Sequence, residues 1–113
     1  MLTYAFKDQK GIKVLELSGT LTSSTSDLFK ELVVNVVDKE SLIINMENVT
    51  FVTTSGLNSL VEVSFTAKDN NRRVIILWPG EDLLLMAENL DMTRHLIFAD
   101  SLELAGMKIN YFT

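Results

Sequence analysis

Residues 42–57 read LIINMENVTFVTTSGL, and the fold turns on how this stretch divides. Leu42-Ile43-Ile44-Asn45-Met46 is a short, mostly apolar run, the pattern of a strand covered on both faces. Residues 47–53 are expected to form a loop. A helix is expected from near Thr54 or Ser55 to about Asn70, because Leu57, Leu60, Val61 and Phe65 recur at helical spacing on one face. The join carries three consecutive hydroxyls, Thr53, Thr54 and Ser55, then Gly56.

Similar units lie on both sides. Upstream, Leu2–Lys7 and Ile12–Leu17 read as strands around a Lys10-Gly11 turn, a hairpin. The polar run Gly19–Asp27 leads into a helix ending near Val37, with Leu28, Leu32, Val33 and Val36 as its apolar face. Ser24 and Asp27 have the spacing of a capping box. Downstream, Val74-Ile75-Ile76-Leu77 is the clearest buried strand, and Pro79-Gly80 breaks it before a helix from Glu81 to about Leu90. Ile97-Phe98-Ala99 reads as a last strand, and Asp100 or Ser101 can cap a helix through about Ala105. Strands alternating with helices imply an α/β fold with a mixed, mostly parallel sheet and right-handed crossovers, the hairpin adding an antiparallel edge.

The length of 113 residues suits a single domain over 1–113, and 47% hydrophobic content can fill its core. No run approaches a membrane span of about 20 residues, so no direct membrane insertion is expected. The first residues lack the pattern of a signal peptide, which makes Asn48-Val49-Thr50 a poor glycosylation site and the cytoplasm the expected location. There is no cysteine, hence no disulfide or thiol chemistry. With a formal charge of −5 and only Arg72-Arg73 as adjacent cations, nucleic acid is not an expected partner.

Catalytic signatures are missing. One histidine, His95, and no cysteine leave no zinc set, so neither metal nor cofactor is expected. There is no phosphate loop, and Gly80 stands too far from other glycines for a dinucleotide fingerprint. Ser55 lacks the glycine that a hydrolase elbow needs two residues earlier, where Thr53 stands. The chain is not expected to be an enzyme.

In parallel sheets, ligand and partner sites collect at the carboxyl ends of strands. Residues 47–55, Trp78-Pro79-Gly80 and Gly19–Ser23 all fall there, whereas Arg72-Arg73 precede a strand and fall at the opposite edge. Thr54 and Ser55 read first as helix caps, the commoner use of such residues, and second as a functional site. A helix amino terminus also tolerates an added phosphate, which brings close to two negative charges to the surface. Trp78 reads either as an anchor or as an interface residue.

The succession GTLTSST, LIINMENVTFVTTSGLNSLV, PGEDLLLMAENLDMT and FADSLELA resembles the STAS domain family, whose best-known members are bacterial anti-sigma factor antagonists. The most specific part is Leu42–Leu57, and the last third agrees more loosely. The resemblance implies about five strands and four helices. It places the phosphate acceptor at Thr54, with Ser55 and Thr53 as lesser candidates, and a GHKL-type kinase that is also the anti-sigma factor as partner. Leu21, Thr22, Ser23, Thr53, Ser55, Gly56, Leu57 and Trp78 would join Thr54 in the partner-binding surface. Two positions depart from the family: its acid before the acceptor is Thr53 here, and its acid in the preceding turn is Thr22. The alternative is a constitutive STAS subunit of a larger assembly, such as a lipid-transport ATPase complex or a stress-signalling scaffold. The sequence leaves homodimerisation open. The tail Lys108–Thr113 is apolar enough to pack on the domain or on a neighbour.

Overall fold

The computed structural model describes residues 1–112, with side chains through Asn110. The chain opens with the expected hairpin, β1 (Leu2–Gln9) antiparallel to β2 (Ile12–Leu21), with Gln9 opposite Ile12. Both turn residues have positive φ, 53° at Lys10 and 83° at Gly11. Two such residues give the turn the twist that matches its flanking strands.

The next elements are α1 (Ser26–Val37), β3 (Leu42–Val52), α2 (Thr54–Asp69), β4 (Val74–Leu77), α3 (Glu81–Asn89), a 3-10 turn at Thr93–His95, β5 (Phe98–Ala99) and α4 (Leu102–Phe112). The sheet order is β1-β2-β3-β4-β5, and every pairing after the hairpin is parallel. This is the mixed, mostly parallel five-stranded sheet with four helices that the sequence implied.

Alternation along the inner strands divides the core. Leu42, Ile44 and Met46 of β3 join Val74 and Ile76 of β4 on one face, under Phe29, Val33, Leu57, Leu60 and Leu83 from α1, α2 and α3. Ile43, Ile75 and Leu77 point to the other face, covered by Ala105 and Ile109 of α4. Burial on both faces explains the unbroken apolar runs. Each large aliphatic side chain so buried contributes roughly 1.5–3 kcal/mol.

Several expectations need correction. β3 does not stop at Met46 but runs to Val52. Its register against β2 slips twice, between Glu16 and Ser18 and between Gly19 and Thr20. Such bulges break the two-residue period by which a strand is read. The Asn45 side chain accepts from Glu47 N–H at the first slip (2.9 Å), and Thr50 Oγ1 donates to the Gly19 carbonyl at the second (3.1 Å).

Of the expected face of α1, Val33 is buried and Val36 packs against the core, but Phe29 and Val37 take the other buried apolar positions and Leu28 is exposed. The chain offers two neighbouring apolar stripes, and the one carrying the aromatic ring faces the core. The Ser24–Asp27 capping box does not form: Thr25 is the N-cap, and its hydroxyl is bound into the preceding turn. In α2, Phe65 is exposed, while Val63 and Ala67 take the buried positions. The last helix extends past Ala105, and Ser101 caps it by accepting from Leu104 N–H at 3.0 Å. In the tail, Ile109 packs on α4's own face of the sheet, while the side chains of Tyr111 and Phe112 and the whole of Thr113 lie outside the described residues. Among the described residues no helix is long and apolar enough to cross a membrane.

Candidate functional site

The site is built where β2 and β3 end side by side. Leu21 and Val52 are paired, and Thr53 N–H donates to the Leu21 carbonyl at 3.0 Å. The two strand ends are thereby held at hydrogen-bond distance, with one turn leaving toward α1 and the other entering α2.

The first turn is made of hydroxyls satisfying their own backbone. Thr22 Oγ1 accepts from Ser24 N–H at 3.2 Å, and Thr25 Oγ1 accepts from Thr22 N–H at 2.9 Å. Thr25 Oγ1 donates to the Thr20 carbonyl at 3.0 Å. These bonds fix the turn without any charge.

At the second, Thr53 is the N-cap of α2. Its backbone is extended, and its hydroxyl accepts from Gly56 N–H at 3.2 Å. The capping residue is thus Thr53 rather than Thr54 or Ser55. Thr54 and Ser55 occupy the first exposed helical positions. Neither hydroxyl has a hydrogen-bond partner among the described residues. The free N–H groups and partial positive charge of the helix start lie beneath them.

Gly56 and Leu57 turn inward and are buried, as is Leu21. A Cβ on Gly56 would run into the backbone carbonyl of Leu21. Leu21, Gly56 and Leu57 are thus buried in the free chain rather than part of its exposed rim. They seat the helix start against the end of β2, and Thr22, Ser23, Thr53, Thr54 and Ser55 form the accessible rim. Trp78 lies at the same sheet edge but turns away: its φ is +52°, and its Nε1–H donates to the Asp100 carbonyl at 2.9 Å. It anchors the end of β4 to the segment after β5.

A second feature of this edge was not legible in the sequence. Beyond Asn45 the strand β3 loses β4 as a neighbour, and its last residues pair only with β2. Between them and the start of α3 lies a groove of about 540 Å³, walled by Phe51, Val52, Pro79, Leu83 and Met86, with Glu81 and Asp82 among its polar groups. Phe51 is 59% exposed, unusual for a strand phenylalanine. Two one-residue slips cancel, so Val52 returns to the face of Met46 and Phe51 to the opposite one, where it is exposed because β4 pairs with β3 only as far as Asn45.

The profile of the STAS domain family matches residues 4–105. The chain belongs to the STAS domain family. No curated protein sequence matches it. Among solved structures, a putative anti-sigma factor antagonist from Thermotoga maritima is similar with a TM-score of 0.84 at 14% identity, covering 95% of this chain and 94% of that one. An anti-sigma factor antagonist from Mycobacterium paratuberculosis gives a TM-score of 0.74 at 20% identity, over 97% and 95% of the two chains. The murine anion transporter of solute carrier family 26, member A9, gives 0.76 at 16% identity, over 93% of this chain but 18% of its own length. The STAS fold is thus shared with free-standing antagonists and with a small part of a transporter.

Proposed function

We propose that this STAS chain is a partner-switching module of the anti-sigma factor antagonist kind, controlled by phosphorylation at Thr54. On this reading the uncharged form docks onto a GHKL-type kinase that is also the anti-sigma factor, in the cytoplasm, and the phosphorylated form lets go. The observation that carries it is the division of labour at the helix start. Thr53 does the capping, which leaves Thr54 exposed with an unengaged hydroxyl. A phosphate there would sit on a helix amino terminus that accommodates it, while adding charge to an otherwise uncharged rim.

The two departures from the family pattern fit the same reading. Where related antagonists carry acids, Thr22 and Thr53 still accept hydrogen bonds from Ser24 and Gly56 N–H. The turn and the cap are made here by hydroxyls, with no negative charge at these two positions. That loss favours a second reading, a constitutive STAS subunit docking by the same rim without phosphorylation.

The deciding experiment recovers the chain from its native host and examines the peptide containing Thr54 by mass spectrometry. Calorimetry then compares wild type, Thr54→Ala and Thr54→Asp against the captured protein. Phosphate on Thr54, with binding retained in Thr54→Ala and lost in Thr54→Asp, supports the switch. Equal binding by Thr54→Asp and wild type overturns it. Loss of binding in Thr54→Asp with no phosphate in cells supports the constitutive subunit.

A further inference from the structure

The fold leaves one edge of β3 unused. β4 pairs with β3 only from Val74 opposite Leu42 to Leu77 opposite Asn45. Trp78 and Gly80, at φ 52° and 81°, then carry the chain away toward α3. β3 continues to Val52 with β2 on one side and, among the described residues, no strand on the other. The place of the missing strand is the groove of about 540 Å³ between β3 and α3. We infer that this groove takes up an extended, basic peptide segment of a partner protein, added to the sheet along β3.

The main chain supplies the means of attachment. Thr53 N–H turns to the Leu21 carbonyl, so the N–H and C=O of Val52, one residue back, turn toward the groove. An open edge of this kind pairs with an extended segment through its backbone, whatever the side chains. Val49–Val52 line the groove over roughly 10 Å, at about 3.3 Å per residue, which suits a short ladder.

The walls set the composition of the segment. Leu83 and Met86 of α3 stand with Val52 on one side, and Phe51 lies exposed on the other face of the strand. An added strand places alternate side chains toward each face. The charged groups are of one sign. Glu81 and Asp82 line the groove and no lysine or arginine does. Neither carboxylate has an ion pair among the described residues. Both acids suit the amino end of α3. They also select what lies beside them: lysine or arginine at some positions, apolar residues between. The groove lies across β3 from the Thr22–Ser23 turn, and the inference requires no phosphate on Thr54.

The test titrates the full chain with three capped hexapeptides, followed by NMR at low salt: KVKVKV, its acidic counterpart EVEVEV, and the block-ordered KKKVVV. Expected with KVKVKV are saturable shifts at Phe51 and Val52 and slower hydrogen exchange of the Val52 amide, with no shifts from EVEVEV. KKKVVV has the same charge without the alternation and should bind at least about fivefold more weakly. The double variant Glu81→Gln, Asp82→Asn changes only exposed side chains. It should melt close to wild type and bind KVKVKV roughly fivefold or more weakly. Equal binding of KVKVKV and KKKVVV, or an unchanged affinity in the double variant, would overturn the assignment. So would concentration-dependent shifts at Phe51 in the chain alone, which would give the edge to a second copy.

Discussion

Gly56 of α2 lies against the main-chain carbonyl of Leu21 so closely that no side chain fits between them. The contact fixes how α2 meets the end of β2, and with it the position of the exposed Thr54. A methyl group at residue 56 would meet backbone rather than a flexible side-chain tip, so neither partner can yield cheaply. Gly56→Ala should cost roughly 1–3 kcal/mol through overpacking, despite alanine's better helix propensity. Urea denaturation measures it; an unchanged midpoint would mean that the helix docks differently.

The cap assignment separates two neighbouring threonines. Thr53→Ala removes the oxygen that accepts from Gly56 N–H and should lose about 1 kcal/mol. Thr54→Ala removes no hydrogen bond and should change stability by no more than a few tenths of a kcal/mol. Thr54→Asp should melt at or slightly above wild type, because an acid suits the first helical turn. Thermal melts of the three variants check the order, and a larger loss in Thr54→Ala than in Thr53→Ala would reverse it.

β4 is buried on both faces, with Val74 at 2% exposure. Val74→Asp places a carboxylate in that environment without a partner and should cost several kcal/mol. Circular dichroism of a mutant that melts like wild type would contradict the central position of this strand.

The α1–α2 contact carries an ion pair, Lys30 Nζ to Glu62 at 3.1 Å, with Asp27 also within reach at 3.6 Å. Chiefly the hydrogen bond and charge of Glu62, and secondarily Asp27, raise the Lys30 pKa above its ordinary value. A lysine raised on folding adds stability that is fully present below its unfolded pKa and is lost as pH climbs through the folded value. Lys30→Met should therefore cost a small, constant amount from neutral to mildly alkaline pH, and that difference should close only in strongly alkaline solution. Chemical denaturation of both proteins across that range measures the gap; a gap that opens toward acid pH instead would contradict the pairing.

What the sequence revealed depended on how local each signal was. The Lys10-Gly11 turn, the apolar block of β4 and the Ser101 cap each rest on a few adjacent residues, and they stand as expected. The end of β3 was illegible because two register slips against β2 interrupt its alternation between Met46 and Phe51, and because β4 stops short and leaves Phe51 uncovered. In α1 the Leu28 and Phe29 stripes are both apolar, and only the neighbouring helix decides between them. Around Thr54, residue types marked the rim, but which members face inward depended on a carbonyl contact between Leu21 and Gly56, residues far apart in sequence.

The hairpin has a consequence for how the molecule comes apart. After Leu2, every residue of β1 is exposed, and the strand is held by its pairing to β2 and by Thr20 N–H bonding to the Met1 carbonyl at 3.0 Å. Its amide protons should therefore exchange with solvent through local fraying, while those of β4 wait for global opening. Between these extremes, the amides at the start of α2 report on the Leu21–Gly56 seat. A hydrogen-exchange profile of this chain thus reads as a depth gauge, with the outer strand fastest, the inner strand slowest, and the Thr54 rim timed by whatever loosens or tightens that seat.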